Sequence, residues 1–218
     1  MYIRDLFAQH DRDTLRGFIR SWPLATLVCA QGSQPDVHLF PLHLVPGAQG
    51  EPDRLRGHCP LGHPFLDSAR QAPEVLALFQ GPNAYISPRW YVNGQRSRSV
   101  APGWNYVAAQ ARGPIAVIHD VSFLRGHLEA LVLQQESGRA QPWSLEDAAP
   151  DFLDAALQRL VGFEIEVRSL QGHWFLSQQR TAADRTSVAT HLLLENNGVA
   201  RELAPWVVAP ALEDAVDG

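Results

Sequence analysis

PLATLVCAQGSQPDVHLFPLHLVPGAQGEPDRLRGHC, residues 23–59, is the stretch whose reading decides the fold. Its apolar segments, around Leu24–Ala30, Val37–Val45 and Leu55–Cys59, are too short for stable helices, and clusters of Gly, Pro, Ser and Asp separate them. Segments of that kind between turn signals read as the antiparallel strands of a meander.

Working outward, HDRDTLRGFIRSW (10–22) carries Leu15, Phe18, Ile19 and Trp22 at helical spacing, with Asp11 or Asp13 to cap the start and Pro23 to end it. Downstream, HPFLDSARQA (63–72) reads as a short helix, EVLALFQG (74–81) as a buried strand and AYIS (84–87) as an extended piece. WNYVAAQARGPIAVIHD (104–120) is one long strand, or two with a bulge near Gly113-Pro114. Beyond Asp120 the pattern turns helical, with an apolar stripe of Phe123, Leu124, Leu128, Leu131 and Val132 and a second helix over 151–161. GFEIEVRSLQGHWFLSQQ (162–179) reads as a hairpin turning at Gln171-Gly172, and TAADRTSVATHLLLE (181–195) as a last helix. The expectation is an α+β chain, predominantly antiparallel β, closed as a barrel with peripheral helices. Residues 1–195 form its domain, with helices near 121–160 and 181–195, and residues 196–218 form a C-terminal tail.

Composition excludes whole classes of chemistry. All 18 basic residues are arginines, so no lysine is present to form a Schiff base, anchor pyridoxal phosphate or serve a P-loop. A formal charge of −5 and a pI near 6.0 argue against broad electrostatic binding to nucleic acid. The two cysteines, Cys29 and Cys59, are too few for a disulfide framework, and Cys29 in LATLVCA reads as a buried free thiol. No apolar run approaches the ~20 residues that span a bilayer, and the first residues are too charged for a secretory leader, so no membrane association and a cytoplasmic location are expected. GxSxG, HExxH, GxGxxG and Walker patterns are absent, which leaves hydrolase and dinucleotide-fold readings without support.

The residues that could carry chemistry fall into a few groups. His58, Cys59 and His63 in GHCPLGHP are metal-ligand types, but the spacing matches no known finger and reads as a structured loop, so no metal is expected. His38 and His43 lie on opposite strand faces. Glu164 and Glu166 share a face opposite Phe163, Ile165 and Val167, and a solvated strand face explains them better than acid–base work. Between Trp90-Tyr91 and Trp104-Asn105-Tyr106 lies a segment rich in Arg, Ser, Gly and Asn. Ser177, Gln178 and Arg180 end a strand nearby in the pattern. Ser, Gln and Arg suit a phosphate or ring carbonyls, and Trp or Tyr can stack on a planar ring, although core packing and a helix start at Thr181 account for the same residues.

Taken together, MYI at the start, FQGPNAYISPRWY, WNYVA, PWSLED, VGFEIEV and LSQQRTAADR closely resemble the PaiB-type family of FMN-binding negative transcriptional regulators, over nearly all of residues 1–195. The resemblance implies a flavin-reductase-like split β-barrel and a homodimer with flavin at the subunit interface. From their donor and stacking chemistry, Trp104, Asn105, Tyr106, Ser177, Gln178 and Arg180 are expected to form the FMN site, with His58 and His63 at the loop edge. Two departures stand out: His38 is one residue early relative to Pro41, and Phe175 replaces the Lys common before LSQNR, where Gln179 also replaces Asn. The lost cation predicts weak FMN binding. Three functions remain open: a regulatory FMN-binding protein with little or no enzymatic activity, a flavin-dependent oxidoreductase passing electrons from a nicotinamide cofactor to a small acceptor, and a haem- or tetrapyrrole-binding split barrel. DNA is implied as a partner by the family description alone.

Overall fold

The computed structural model describes residues 4–31, 34–72, 74–97 and 99–208. The chain divides into two compact units, one of Met1–His10, Gln80–Ala108 and Gly172–Gly218, the other of Asp11–Phe79 and Ala109–Gln171. In chain order the elements are β1 (Ala8–Gln9), α1 (Arg12–Ser21), β2 (Leu24–Gln31), β3 (Gln34–Pro41), β4 (His43–Val45), β5 (Arg54–Pro60), α2 (Phe65–Gln71), β6 (Val75–Ile86) and α3 (Val92–Ser97). After these come β7 (Gly103–Gly113), β8 (Ile115–Ile118), α4 (Val121–Glu136), α5 (Pro150–Leu157), β9 (Leu160–Glu166), β10 (Ser169–Phe175), α6 (Ala182–Leu194) and α7 (Gly198–Val208). Among the described residues one sheet has the order β1-β10-β7-β6-β2-β3 and a second the order β4-β5-β9-β8.

The meander read from residues 23–59 forms as expected: β2 pairs antiparallel with β3 from Leu24↔Pro41 to Gln31↔Gln34, and β4 with β5. Gly32 and Ser33, where a turn between these strands is expected, lie outside the described residues. Asp11 caps α1 by accepting from the Thr14 N–H, and Leu15, Phe18 and Ile19 are its buried face. Cys29 and Cys59 are free and buried in strands, and burial pushes both thiols up to about 11.

Four expectations give way. The Gly81-Pro82 pair does not break the strand, so EVLALFQG and AYIS belong to a single β6. The bulge expected near Gly113-Pro114 is a change of sheet: β7 belongs to the six-stranded sheet and β8 to the four-stranded one. A Cβ on Gly113 would stand 1.7 Å from the Glu166 carbonyl oxygen, so only glycine permits the chain to pass there. Residues 162–179 are no hairpin either, because β9 pairs with β5 and β8 whereas β10 pairs with β1, and the chain changes sheets at Val167-Arg168. Alternating side chains cannot distinguish a tight turn from such a crossing. Finally, residues 198–208, expected as tail, form α7, which buries Ala200, Leu203, Ala204 and Val207; residues 209–218 of that tail lie outside the described residues.

The second unit has an aromatic centre. Phe40, Phe65 and Phe163 meet with ring centroids 4.8 to 5.4 Å apart, and Gly57, whose Cβ would come within 2.3 Å of the Phe163 ring, leaves room for it. On the outer face of β5 and β9 the register Arg54↔Glu166, Arg56↔Glu164 sets an ion-pair ladder, with Arg56 Nε 2.7 Å from Glu164 and Arg54 bridging both glutamates. Glu164 and Glu166 thus share one strand face as expected, but as half-buried partners of arginines rather than free in solvent.

Asp53 is fully buried, and its carboxylate accepts from Arg16 at 2.7 and 3.2 Å, from Arg12 at 3.1 Å and from the Gly47 N–H at 2.9 Å. Burial alone would raise its pKa, but the Arg16, Gly47 and Arg12 bonds together hold it below the usual carboxylate range. A carboxylate depressed in the folded state contributes stability that is present above its unfolded pKa and is lost as pH falls through the folded value. Asp53→Ala, which takes the buried partner from Arg16 and the half-exposed Arg12 and frees the Gly47 N–H, is expected to cost about 1–3 kcal/mol. Urea denaturation at neutral pH should show that loss, and wild type should approach the variant as the solution is acidified below the carboxylate range.

Candidate functional site

Six of the eight expected site residues lie in the first unit, and there the polar ones are organised around Ser177. The strand β10 ends at Phe175, and Ser177 follows with φ of 63°, a left-handed conformation that a non-glycine residue holds only when its surroundings fix it. Its hydroxyl lies 3.0 Å from the Asn105 amide nitrogen and 3.5 Å from the Tyr91 hydroxyl, and both Asn105 and Ser177 are buried. Gln178 folds back on the same turn: its Oε1 accepts from the Leu176 N–H at 2.7 Å and its amide donates to the Trp174 carbonyl. The Arg180 N–H returns to the Ser177 carbonyl at 2.9 Å, after which Thr181 caps α6. Asp184, buried in the first turn of α6, accepts from the Asn93 N–H at 2.9 Å and from the Thr181 hydroxyl at 3.0 Å, tying α3 to the same place.

The polar atoms of Asn105, Ser177 and Gln178 are therefore engaged within the protein. Their geometry suits a rigid turn better than the donor role expected from sequence. The cations differ. Arg180 lays its guanidinium 4.6 Å from the centre of the Tyr91 ring, and its Nε is buried without a hydrogen-bond partner among the described residues. Arg185, one turn into α6, also has a buried Nε with no partner. An orphaned guanidinium N–H is costly and is normally satisfied by an anion or a water. Arg185 escaped the sequence reading because nothing local separates it from an ordinary exposed helix arginine.

Trp104 is 53% exposed, yet its indole N–H is fixed to the Asn83 side-chain oxygen at 3.1 Å. It stands between two clefts. One, of about 320 Å³, is lined by Gln80, Gly81, Asn83, Trp104, Tyr106, Val107 and Ala108. The other is bounded by Trp104 together with Tyr85, Trp90 and the α6–α7 turn. Tyr106 also reaches a third hollow of about 230 Å³, where it joins Arg4, Phe7, His173 and Phe175. Its hydroxyl is 3.2 Å from His173 Nδ1. Burial raises the phenol and lowers the imidazole, so the neutral pair, with Tyr106 donating, is the stable state. Phe175, the position expected to bear on phosphate, lies in this hollow against Phe7 at 4.5 Å.

His58 and His63 belong to the second unit, and they do not act together. His58 Nδ1 is 3.0 Å from Nε2 of the buried His127 in α4, while His63 accepts the Phe65 N–H through Nδ1 and meets His38 at a ring distance of 5.4 Å. Cys59 points into the core from the opposite face of β5. Among the described residues no group of three or more His, Cys, Asp or Glu is placed to hold a metal ion. The His58–His127 pair was not legible in sequence, since it joins residues far apart in the chain.

Three comparisons bear on this arrangement. Residues 1–169 match the family described as "Putative FMN-binding domain". The chain is 30% identical to the protease synthase and sporulation protein PAI 2 of Bacillus subtilis, over 94% of this chain and 95% of that one. Among solved structures it resembles an FAD and heme binding protein from Mycobacterium smegmatis, with a TM-score of 0.55 at 17% identity over 77% of this chain and 73% of that one. A conserved hypothetical protein from Mycobacterium tuberculosis gives a TM-score of 0.58 at 13% identity, covering 82% and 92% of the two chains. The fold is the α+β, predominantly antiparallel split barrel of flavin-binding proteins.

The buried histidine pair yields a pH test. Burial, and then the neighbouring His58, push His127 down to about 3, and burial also lowers His58. Between the ordinary histidine range and that value the unfolded chain binds protons that the folded chain refuses, so stability falls as pH falls through that window. In His127→Gln the melting temperature should change less between neutral and mildly acidic pH than in wild type. Parallel slopes would remove the pair as its source.

Proposed function

The chain belongs to the PaiB-type FMN-binding family, and with FMN as its cofactor we propose that it acts as a homodimeric, flavin-binding regulatory protein with little turnover of its own. The carrying observation is the pair of guanidiniums, Arg180 and Arg185, whose buried Nε atoms have no partner among the described residues beside the rigid Ser177–Thr181 turn. Arginine forks suit the dianionic phosphate of FMN, and the N-terminal turn of α6 adds its dipole. The cleft between Trp104 and Tyr106 offers aromatic walls for the flavin ring. Asn105, Ser177 and Gln178 act as positioning residues that hold the turn and keep Arg180 over Tyr91. These residues therefore fit the cofactor, which when bound supplies a reversible redox centre. His58 and His63, paired elsewhere, keep at most the edge role expected of them.

Homodimer formation is supported by the outer face of β2, β3 and β6. The register brings Leu24, Val28, Val37, Leu39, Leu76 and Leu78 onto one side, where Leu24, Val37 and Leu39 are 55 to 65% exposed. Such a continuous apolar face is unusual on a monomer. A regulatory role through DNA would have to use a local surface, because the charge of −5 gives no general attraction to phosphate.

One observation favours the oxidoreductase reading: the hydrogen-bonded Tyr106–His173 pair beside an open aromatic hollow could hold or release a proton near a bound acceptor. The two readings separate on nicotinamide oxidation by FMN-loaded protein. No gain over free FMN supports the regulatory reading, whereas saturable turnover that is lost in His173→Gln supports the enzyme. An absorbance spectrum separates both from the haem-binding alternative.

For the site itself, a charge-assisted contact to phosphate contributes about 1.5–3 kcal/mol. Arg180→Ala is therefore expected to weaken FMN ~10-fold or more in a fluorescence titration, with a melting temperature close to wild type. Unchanged affinity in the folded variant would reject the assignment. Light scattering at micromolar concentration should give the mass of a dimer, and Leu39→Glu with Val37→Glu should give that of a monomer.

A further inference from the structure

We propose that the cleft between the end of β6 and the α6–α7 turn is a binding site for an organic ammonium cation. The cleft, of about 340 Å³, lies within the first unit, and Tyr85, Trp90 and Trp104 wall it together with Asn83, Glu195 and Asn197. None of its lining residues is an arginine or a histidine. The site goes beyond flavin binding: with a carboxylate and no cation, this cleft repels the phosphate of FMN and attracts positive charge.

The aromatic walls are set before any ligand arrives. The Tyr85 and Trp104 rings meet edge to face, with centroids 6.3 Å apart and planes at 68°. The Trp104 indole N–H is held by Asn83, which ties up the polar edge of the ring. Trp90 is backed by His191, stacked 5.4 Å away at 15°, and His191 is in turn fixed by the Ser187 carbonyl 2.8 Å from its Nδ1. Tyr85 and Trp104 leave about half of their surfaces exposed, at 50% and 53%. Tyr85 and Trp104, set at a steep angle beside a small volume that Trp90 also lines, form an arrangement in which a quaternary or alkylated ammonium gains from the ring quadrupoles.

Glu195 supplies the charge. Its N–H bonds back to the carbonyls of His191 and Leu192, and its own carbonyl accepts from Arg201 Nε at 2.7 Å. The carboxylate itself has no ion-pair partner among the described residues, and the Arg201 guanidinium bonds to the main chain of the same residue instead. Asn197 spends its side-chain oxygen on the Val199 N–H, which starts α7 and shapes the floor of the cleft. The ligand class that matches is a compact, weakly hydrated ammonium head, which loses little on leaving water and needs no hydrogen bond from the rings.

Choline chloride is the probe, and dimethylbutanol, its uncharged carbon isostere, is the control. Titrations into flavin-free protein are read by tryptophan fluorescence and by the indole N–H resonances, so the outcome is independent of FMN binding. Choline should saturate, and the isostere should bind ~10-fold or more weakly. Glu195→Gln and Tyr85→Leu should each weaken choline several-fold while leaving FMN affinity and melting temperature unchanged. Glu195→Lys should abolish the response. Equal binding of choline and its isostere, no saturable choline response in folded wild type, or a response that survives Glu195→Lys would overturn the proposal.

Discussion

Burying the Asn105 amide against the Ser177 hydroxyl is the constraint from which the first unit hangs. Once that pair is fixed, β10 must stop after Phe175, the chain must turn through a left-handed residue, and α6 must begin at Thr181. A serine in that conformation is held there by its neighbours, since alone it would relax. The Tyr91 hydroxyl, the folded-back Gln178 and the Asp184 links to Asn93 and Thr181 supply the fixing contacts. What remains unsatisfied is guanidinium N–H, at Arg180 and Arg185. Around this turn the amides, hydroxyls and the Asp184 carboxylate are satisfied internally, and two guanidinium Nε atoms are left without a partner among the described residues.

The second unit obeys the opposite rule. Its most deeply buried charge, Asp53, is fully matched by two arginines and a main-chain N–H, and its outer ladder pairs Arg54 and Arg56 with Glu164 and Glu166. In a chain whose cations are all arginines, each such pairing uses a planar fork that can bridge two acceptors, as Arg54 does between the two glutamates. The histidines of this unit pack against one another and the core: His58 with His127, whose Nδ1 is buried without a partner among the described residues, and His38 and His63 at the rim of the phenylalanine cluster.

Much of this was legible from local pattern. Helical spacing at Leu15, Phe18 and Ile19, turn residues around the meander and alternation through Phe163–Val167 report side-chain periodicity, and periodicity survives folding. The shared face of Glu164 and Glu166 was read correctly for that reason. What failed was connectivity. Nothing in residues 162–179 tells a hairpin from a strand that leaves one sheet and enters another, because both show the same alternation. The glycine that permits the other sheet change, Gly113, is recognisable only once the Glu166 carbonyl is found beside it. At the candidate site the chemistry of Ser177, Asn105 and Gln178 was noticed but its direction was not. A polar side chain can face a ligand or its own backbone, and only packing decides. The Tyr106–His173 and His58–His127 pairs, each joining distant segments, left no local trace.

Among the described residues the β3 strand ends its sheet, with no strand paired to its outer row of peptide groups. An open edge of this kind is a template on which any extended chain can zip itself. Here Pro35 and Pro41 sit at the two ends of the strand, and a proline has no N–H to offer an incoming chain. Lengthwise addition is therefore blocked at both starting points, while the greasy flat of the same strand stays open. What the strand leaves accessible is its side chains, Val37 and Leu39, rather than its peptide groups.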